Sequence, residues 1–219
     1  MGFKFWGLGL MEKVFIFVFI FLAAVSLKGQ MAGDLFISSQ EPVLLSLTES
    51  DRLDLIDLYK AGQKSLVINQ LEDSCFILQL TDNYLEFKSG TLRMELFVLP
   101  LINDSKIIGL IQTACAPVCD SSLEFYTTTW KKLDTGLFIS PEEKSWFVKE
   151  GLNPAEQKIR NALIPFDISL MQFRFDTKKQ ELSQYYKTPE YVSQDDRKKA
   201  EAFLKETPRI FKWNQIRFE

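Results

Sequence analysis

Between Ser74 and Lys132 apolar and polar residues alternate in short runs separated by turn residues, the two-residue period of β-strands. Five runs carry the pattern, at residues 75–80, 84–88, 91–99, 106–115 and 123–130. In the third, Leu92, Met94, Leu96 and Val98 alternate with Arg93 and Glu95, as in a strand with one face on a core and one in water. Ser89-Gly90 and Asn103-Asp104-Ser105 have the chemistry of hairpin connections. Short links join antiparallel neighbours, so this segment predicts a meander.

The flanking regions change period. Residues 30–47 read as irregular. A helix follows, with Thr48 as its N-cap, acids in its first turn and Gly62 just past its end. Leu55, Leu58 and Tyr59 share one face of it, and Asp51, Asp54 and Asp57 another. After Asp134, Ser140-Pro141-Glu142-Glu143 reads as the start of a short helix, and residues 155–163 as a second that stops before Pro165. Residues 168–175 and 181–186 predict a hairpin across Asp176-Thr177-Lys178-Lys179. Ser193 to Asp196 resembles a capping box for a helix reaching Lys205, with Ala200, Phe203 and Leu204 facing inward. Residues 209–212 and 215–218 read as closing strands. The fold class expected is α+β, an antiparallel β-meander sheet with a few short packed helices. Residues 30–219 are expected to form a single domain, or two lobes with a seam near 134–154.

The first 29 residues have the shape of a cleavable export signal. Lys4 and Lys13 supply positive charge, residues 14–25 are wholly apolar, and a short polar exit follows. The apolar run is far shorter than the ~20 residues a spanning helix needs. Cleavage is expected after Gly29, which places the protein in the periplasm or outer envelope with no stable membrane span. Removing Lys4, Lys13, Lys28 and Glu12 from 26 basic and 29 acidic residues takes the net charge from −3 to −5. The remaining Lys and Arg are dispersed, so the basic stripe of a nucleic-acid binder is missing.

The chain has no histidine. That removes the usual activator of serine and cysteine nucleophiles, the commonest metal ligand and the usual general base near neutral pH. Paired carboxylates and Ser-Lys chemistry do not need it, but no catalytic constellation can be named. No cofactor is implied.

Three cysteines bear on redox chemistry, and an odd number allows one internal disulfide at most. Cys115 and Cys119 flank Ala-Pro-Val between two expected strands, and a disulfide that staples this turn is the plain reading. Thiol exchange and soft-metal binding are the alternatives. The spacing is similar to the CxxxC of a class of copper chaperones, which add a histidine ligand that this chain cannot supply. Cys75, beside Phe76-Ile77-Leu78, reads as a buried free thiol, with pairing to Cys115 or Cys119 the other option. The Asp51/Asp54/Asp57 row lacks the loop spacing of a calcium site and reads as a solvated helix face. Asn103-Asp104-Ser105 matches a glycosylation sequon.

Three groups of residues resemble one family. They are Ile111-Gln-Thr-Ala-Cys-Ala-Pro-Val-Cys-Asp-Ser-Ser-Leu-Glu-Phe-Tyr126, the helical segment from Leu47 to Gly62, and Thr188-Pro-Glu-Tyr191 with Asp196-Arg-Lys-Lys199, Trp213-Asn214 and Arg217-Phe218. Together they resemble domain-of-unknown-function family 3256, small exported proteins of Bacteroidetes. The resemblance implies a Gram-negative envelope location and assigns no activity and no catalytic residue. The function expected is that of a non-enzymatic module binding an envelope protein or a glycan, with Trp130, Trp146 and Trp213 as its most testable elements. A CxxxC redox or metal-handling protein is one alternative, and a carboxylate-based glycan hydrolase a second. The second requires a cleft holding two acids.

Overall fold

The computed structural model describes residues 31–39, 47–140 and 146–219. The expected export signal and nearly all of the helix expected at Ser140-Pro141 lie outside them. The described chain runs α1 (Met31–Ile37), α2 (Glu49–Lys60), β1 (Val67–Ile68), β2 (Ser74–Thr81), β3 (Tyr84–Ser89), β4 (Leu92–Pro100), β5 (Lys106–Cys115), β6 (Cys119–Thr127) and β7 (Lys132–Leu133). There follow α3 (Gln157–Leu163), β8 (Met171–Asp176), β9 (Glu181–Tyr186), α4 (Thr188–Tyr191), α5 (Gln194–Ala200) and β10 (Arg209–Lys212). The first seven strands form one antiparallel meander in chain order, and β10-β9-β8 form a second, three-stranded sheet. The fold is mixed α+β. Among the described residues no helix is long and apolar enough to cross a membrane.

Residue parity sorts the meander's two faces. Ile77, Leu85, Phe87, Met94, Leu96, Val98, Ile108, Leu110 and Tyr126 pack with Ala32, Leu35 and Phe36 of α1 and Leu55 and Ile56 of α2. The opposite parity, Tyr84, Phe97, Leu99, Ile107, Ile111 and Phe125, packs with Leu182, Phe211, Trp213 and Phe218 from the smaller sheet and its C-terminal extension. The meander is therefore the middle of three layers. β4, read from the sequence as half-buried, is buried on both faces, since Glu95 is 1% exposed and Phe97 and Leu99 fully enclosed. A period of two marks a strand but does not say how many of its faces are covered.

Other differences have local causes. The segment before Leu47 contains α1, whose apolar Ala32, Leu35 and Phe36 gain a helical face only because the meander is there to bury them. Arg52 of α2 fixes it in place, donating to the carbonyls of Ile37 (3.0 Å), Leu47 (2.6 Å) and Ser39 (3.0 Å). The last long strand, β6, starts at Cys119, four residues before the alternation becomes visible. The helix expected to reach Lys205 stops at Ala200. Residues 215–218 are not a strand; Phe218 instead bridges Ile139 and Trp213 singly.

Candidate functional site

The site is built where the smaller sheet meets the meander. β5 and β6 pair continuously from Ile107↔Thr127 to Cys115↔Cys119. Cys115 and Cys119 thus face each other at the end of the ladder, and a disulfide joins them. The two residues after it act on the other sheet. Asp120 Oδ1 accepts the backbone N–H of Met171 (2.9 Å), and Ser121 Oγ accepts that of Phe173 (3.2 Å). Ser121 is held in turn by Thr113 Oγ1 at 2.8 Å. One strand pair farther on, Glu95 Oε2 accepts the N–H of Phe175 (3.1 Å).

Met171, Phe173 and Phe175 are alternate residues of β8, an edge strand of the smaller sheet. Their outward N–H groups are the ones an edge strand offers to a further strand. Here side chains of β6 and β4 take all three, so β8 runs across the meander from β6 to β4 with its donors satisfied. Thr188 continues the pattern, with Oγ1 accepting the Leu170 N–H (2.9 Å) and donating to Ile168 O (2.8 Å).

Glu95 anchors the far end. Its carboxylate also accepts from Tyr84 Oη (3.2 Å) and pairs with Arg174 Nη1 (2.8 Å). Glu86 stands directly opposite Glu95 in the β3–β4 register and pairs with the Arg93 guanidinium. Burial pushes the Glu86 carboxyl above its usual range, against the pull of Arg93, and the Glu95 charge pushes the same way. Burial, then the charges of Glu95 and Glu86, raise the Tyr84 phenol, which stays protonated and donates.

At the other end the layers part and leave a cleft of about 610 Å³. Its floor on the smaller sheet is the cross-strand row Phe173, Gln184 and Arg209. The Arg209 guanidinium lies 4.4 Å from the centre of the Phe211 ring, which orients it by cation–π attraction. Opposite stand Asp120 and Leu123 of β6, then Asp134 and Ile139 beyond β7. Asp134 Oδ1 caps a 3₁₀ turn by accepting the Gly136 N–H (2.9 Å). Both acids are thus fixed through one oxygen. Among the described residues Oδ2 of each has no hydrogen-bond partner.

The residues singled out from sequence lie apart from this floor. Trp130, Trp146 and Trp213 are all buried, and the indoles of Trp130 and Trp213 donate to Leu35 O (3.1 Å) and Pro100 O (2.8 Å). They are core residues, not an exposed binding surface. Cys75 is buried, hydrogen-bonded to Ser89 Oγ (3.2 Å), and its thiol is pushed up chiefly by burial. β3 and β4 separate it from the Cys115 end of β5. Asp51 belongs to the α2 capping box with Thr48. Among the described residues no group of three or more Cys, Asp or Glu is placed to hold a metal ion.

Glu95 reads from the sequence as facing water, which its burial overturns, and Asp120, Ser121, Gln184 and Arg209 were given no role there. For Glu95 a signal was present: Phe97 and Leu99 share its parity, which marks its face as buried. Nothing local marks the others, because the backbone N–H groups that Asp120 and Ser121 accept lie 51 and 52 positions away, and the cleft that Gln184 and Arg209 line exists only once the sheets are packed.

A family model described as "Protein of unknown function (DUF3256)" matches residues 24–218. A solved domain of an uncharacterized protein from Porphyromonas gingivalis W83 superposes with a TM-score of 0.74 at 25% identity, covering 86% of this chain and 98% of its own. No curated protein matches the chain.

Proposed function

The chain belongs to the DUF3256 family, and from that premise we propose that it is a non-catalytic binding module of the Gram-negative envelope, with the cleft between its sheets as the ligand site. The observation that carries this is the cleft itself. It is of ordinary ligand-site size, lined by apolar Leu123, Ile139, Met171, Phe173 and Phe211 together with a few polar groups held in fixed orientations. Binding is favoured over catalysis because Asp120 and Asp134, the two acids of the cleft, each already spend one oxygen on a backbone N–H that holds the fold together. The envelope location rests on the charged and apolar opening of the sequence and on the likeness to a Porphyromonas domain.

Native mass spectrometry of protein recovered from the envelope fraction, with thiols trapped at lysis, tests the whole reading. The expected result is a chain beginning near Gln30, one alkylatable thiol after denaturation, and a small molecule retained by the wild type. Ser169→Trp, which fills the cleft mouth from an exposed position, should lose that molecule. Recovery of the uncleaved chain from the cytoplasm would overturn the location, and equal retention by the variant would overturn the site. Three alkylatable thiols would move the role to thiol chemistry.

A further inference from the structure

The two walls of the cleft present different chemistry. On β6 and after β7, Asp120 and Asp134 offer one carboxylate oxygen each, anchored by the N–H groups of Met171 and Gly136 on the other. These oxygens only accept. On the smaller sheet, Arg209 offers guanidinium donors from a group seated over the Phe211 ring. Between them lies Phe173, half-buried, packed on the core on one side and lining the cleft on the other. A ligand that fills this space must donate to one wall, accept from the other, and lay an apolar face on the ring between.

A peptide could meet those demands by adding a strand to an open edge, but the β8 edge beside the cleft is closed. Asp120 and Ser121 already occupy the N–H groups of Met171 and Phe173 that strand addition would use. Recognition at the β8 side of the cleft must therefore run through side chains. The acids and the guanidinium also stand on opposite walls, so no single sign of charge dominates the cleft.

We infer that the cleft binds a saccharide, whose hydroxyls both donate and accept and whose ring carries an apolar C–H face. Asp120 and Asp134 accept from hydroxyls, Arg209 donates to them, and Phe173 carries the C–H face. This rests on the reading of the cleft as a ligand site. The volume of about 610 Å³ lies within the ~300–1,000 Å³ of small-ligand pockets and suits a short oligosaccharide rather than a long chain.

The test is calorimetric titration of the signal-free chain with two probe panels. One contains neutral tetrasaccharides of glucose, mannose, galactose and N-acetylglucosamine; the other contains uncharged hexapeptides. Binding of at least one tetrasaccharide and of no hexapeptide is expected. Arg209→Leu and Phe173→Ala should each weaken it about tenfold or more, the scale of one lost charged hydrogen bond or stacking face. Ser169→Trp should abolish it, and Asp104→Asn, in a distant turn, should leave it unchanged. Thermal melts check that each variant is folded. Hexapeptide binding that Ser169→Trp abolishes overturns the saccharide and keeps the cleft. Tetrasaccharide binding indifferent to Arg209→Leu and Ser169→Trp overturns the cleft itself. No binding from the saccharide panel at millimolar concentration overturns the ligand class.

Discussion

Glu95 and Glu86 stand side by side in the same register pair, yet they live in different environments. Glu95 collects donors from Tyr84, Arg174 and the Phe175 backbone. Glu86 has Arg93, and burial outweighs that help and raises its pKa. A raised pKa means that the folded chain holds the proton more tightly than the unfolded one. Stability from this group is therefore present below the unfolded value and declines as pH climbs through the folded one. Glu86→Gln cannot ionise, so its melting temperature relative to wild type should improve from about pH 4 to about pH 7. A difference constant with pH would show that Glu86 does not titrate in that window. The Cys115–Cys119 bridge closes a ring of only a few residues, so Cys115→Ser with Cys119→Ser should cost about 2 kcal/mol or less in urea unfolding. A loss of binding at intact stability would instead assign chemistry to the thiols.

Among the elements, the pairing of β4 with β5 leaves the least tolerance. Gly109 faces Phe97 across the ladder, and a Cβ at Gly109 would sit 2.1 Å from the Phe97 ring. That ring cannot yield, because it is fully buried and stacked 4.1 Å from Phe175 of β8. Gly109→Ala should destabilise by about 1–3 kcal/mol by overpacking, and Phe97→Leu in the same chain should recover part of the loss. Chemical denaturation of the single and double variants reads both. At α2 the Thr48 side chain accepts the Asp51 N–H (3.1 Å) while Asp51 Oδ2 accepts the Thr48 N–H (2.9 Å). Thr48→Ala should cost about 1 kcal/mol. This helix start was readable in the sequence because a cap is a local exchange of hydrogen bonds. α1 was not, because seven residues do not hold a helix in water without a surface to cover.

Across the whole molecule, three side-chain contacts to β8 couple the layers, and Glu95 carries the deepest. Removing its carboxylate strands the Tyr84 hydroxyl, the Phe175 N–H and the Arg174 charge at once. Glu95→Ala should cost about 3 kcal/mol, reduced to the extent that Arg174 reaches water. Hydrogen exchange should show the loss first at the amide of Phe175, before those of β5. Uniform loss of protection across both sheets would mean that the layers unfold as one and that Glu95 does not gate their separation.

Sequence alone determined what depends on near neighbours. The alternation along residues 74–132 set the order and pairing of β2 to β6, since hairpins with short links have no other way to fold; the two-residue strands β1 and β7 carry too little pattern to read. Turn residues set the β8–β9 hairpin, Thr48 and Ser193 set helix starts, and the absence of histidine narrows the chemistry whatever the fold. Tertiary structure decided which faces are covered and which polar residues meet. Asp120 finds Met171 51 positions away, and Glu95 finds Phe175 80 positions away. Such contacts depend on how one sheet is laid across another. That placement is fixed by the packing of Phe97, Phe125, Phe175 and Phe218 together, and no local pattern along the chain encodes it.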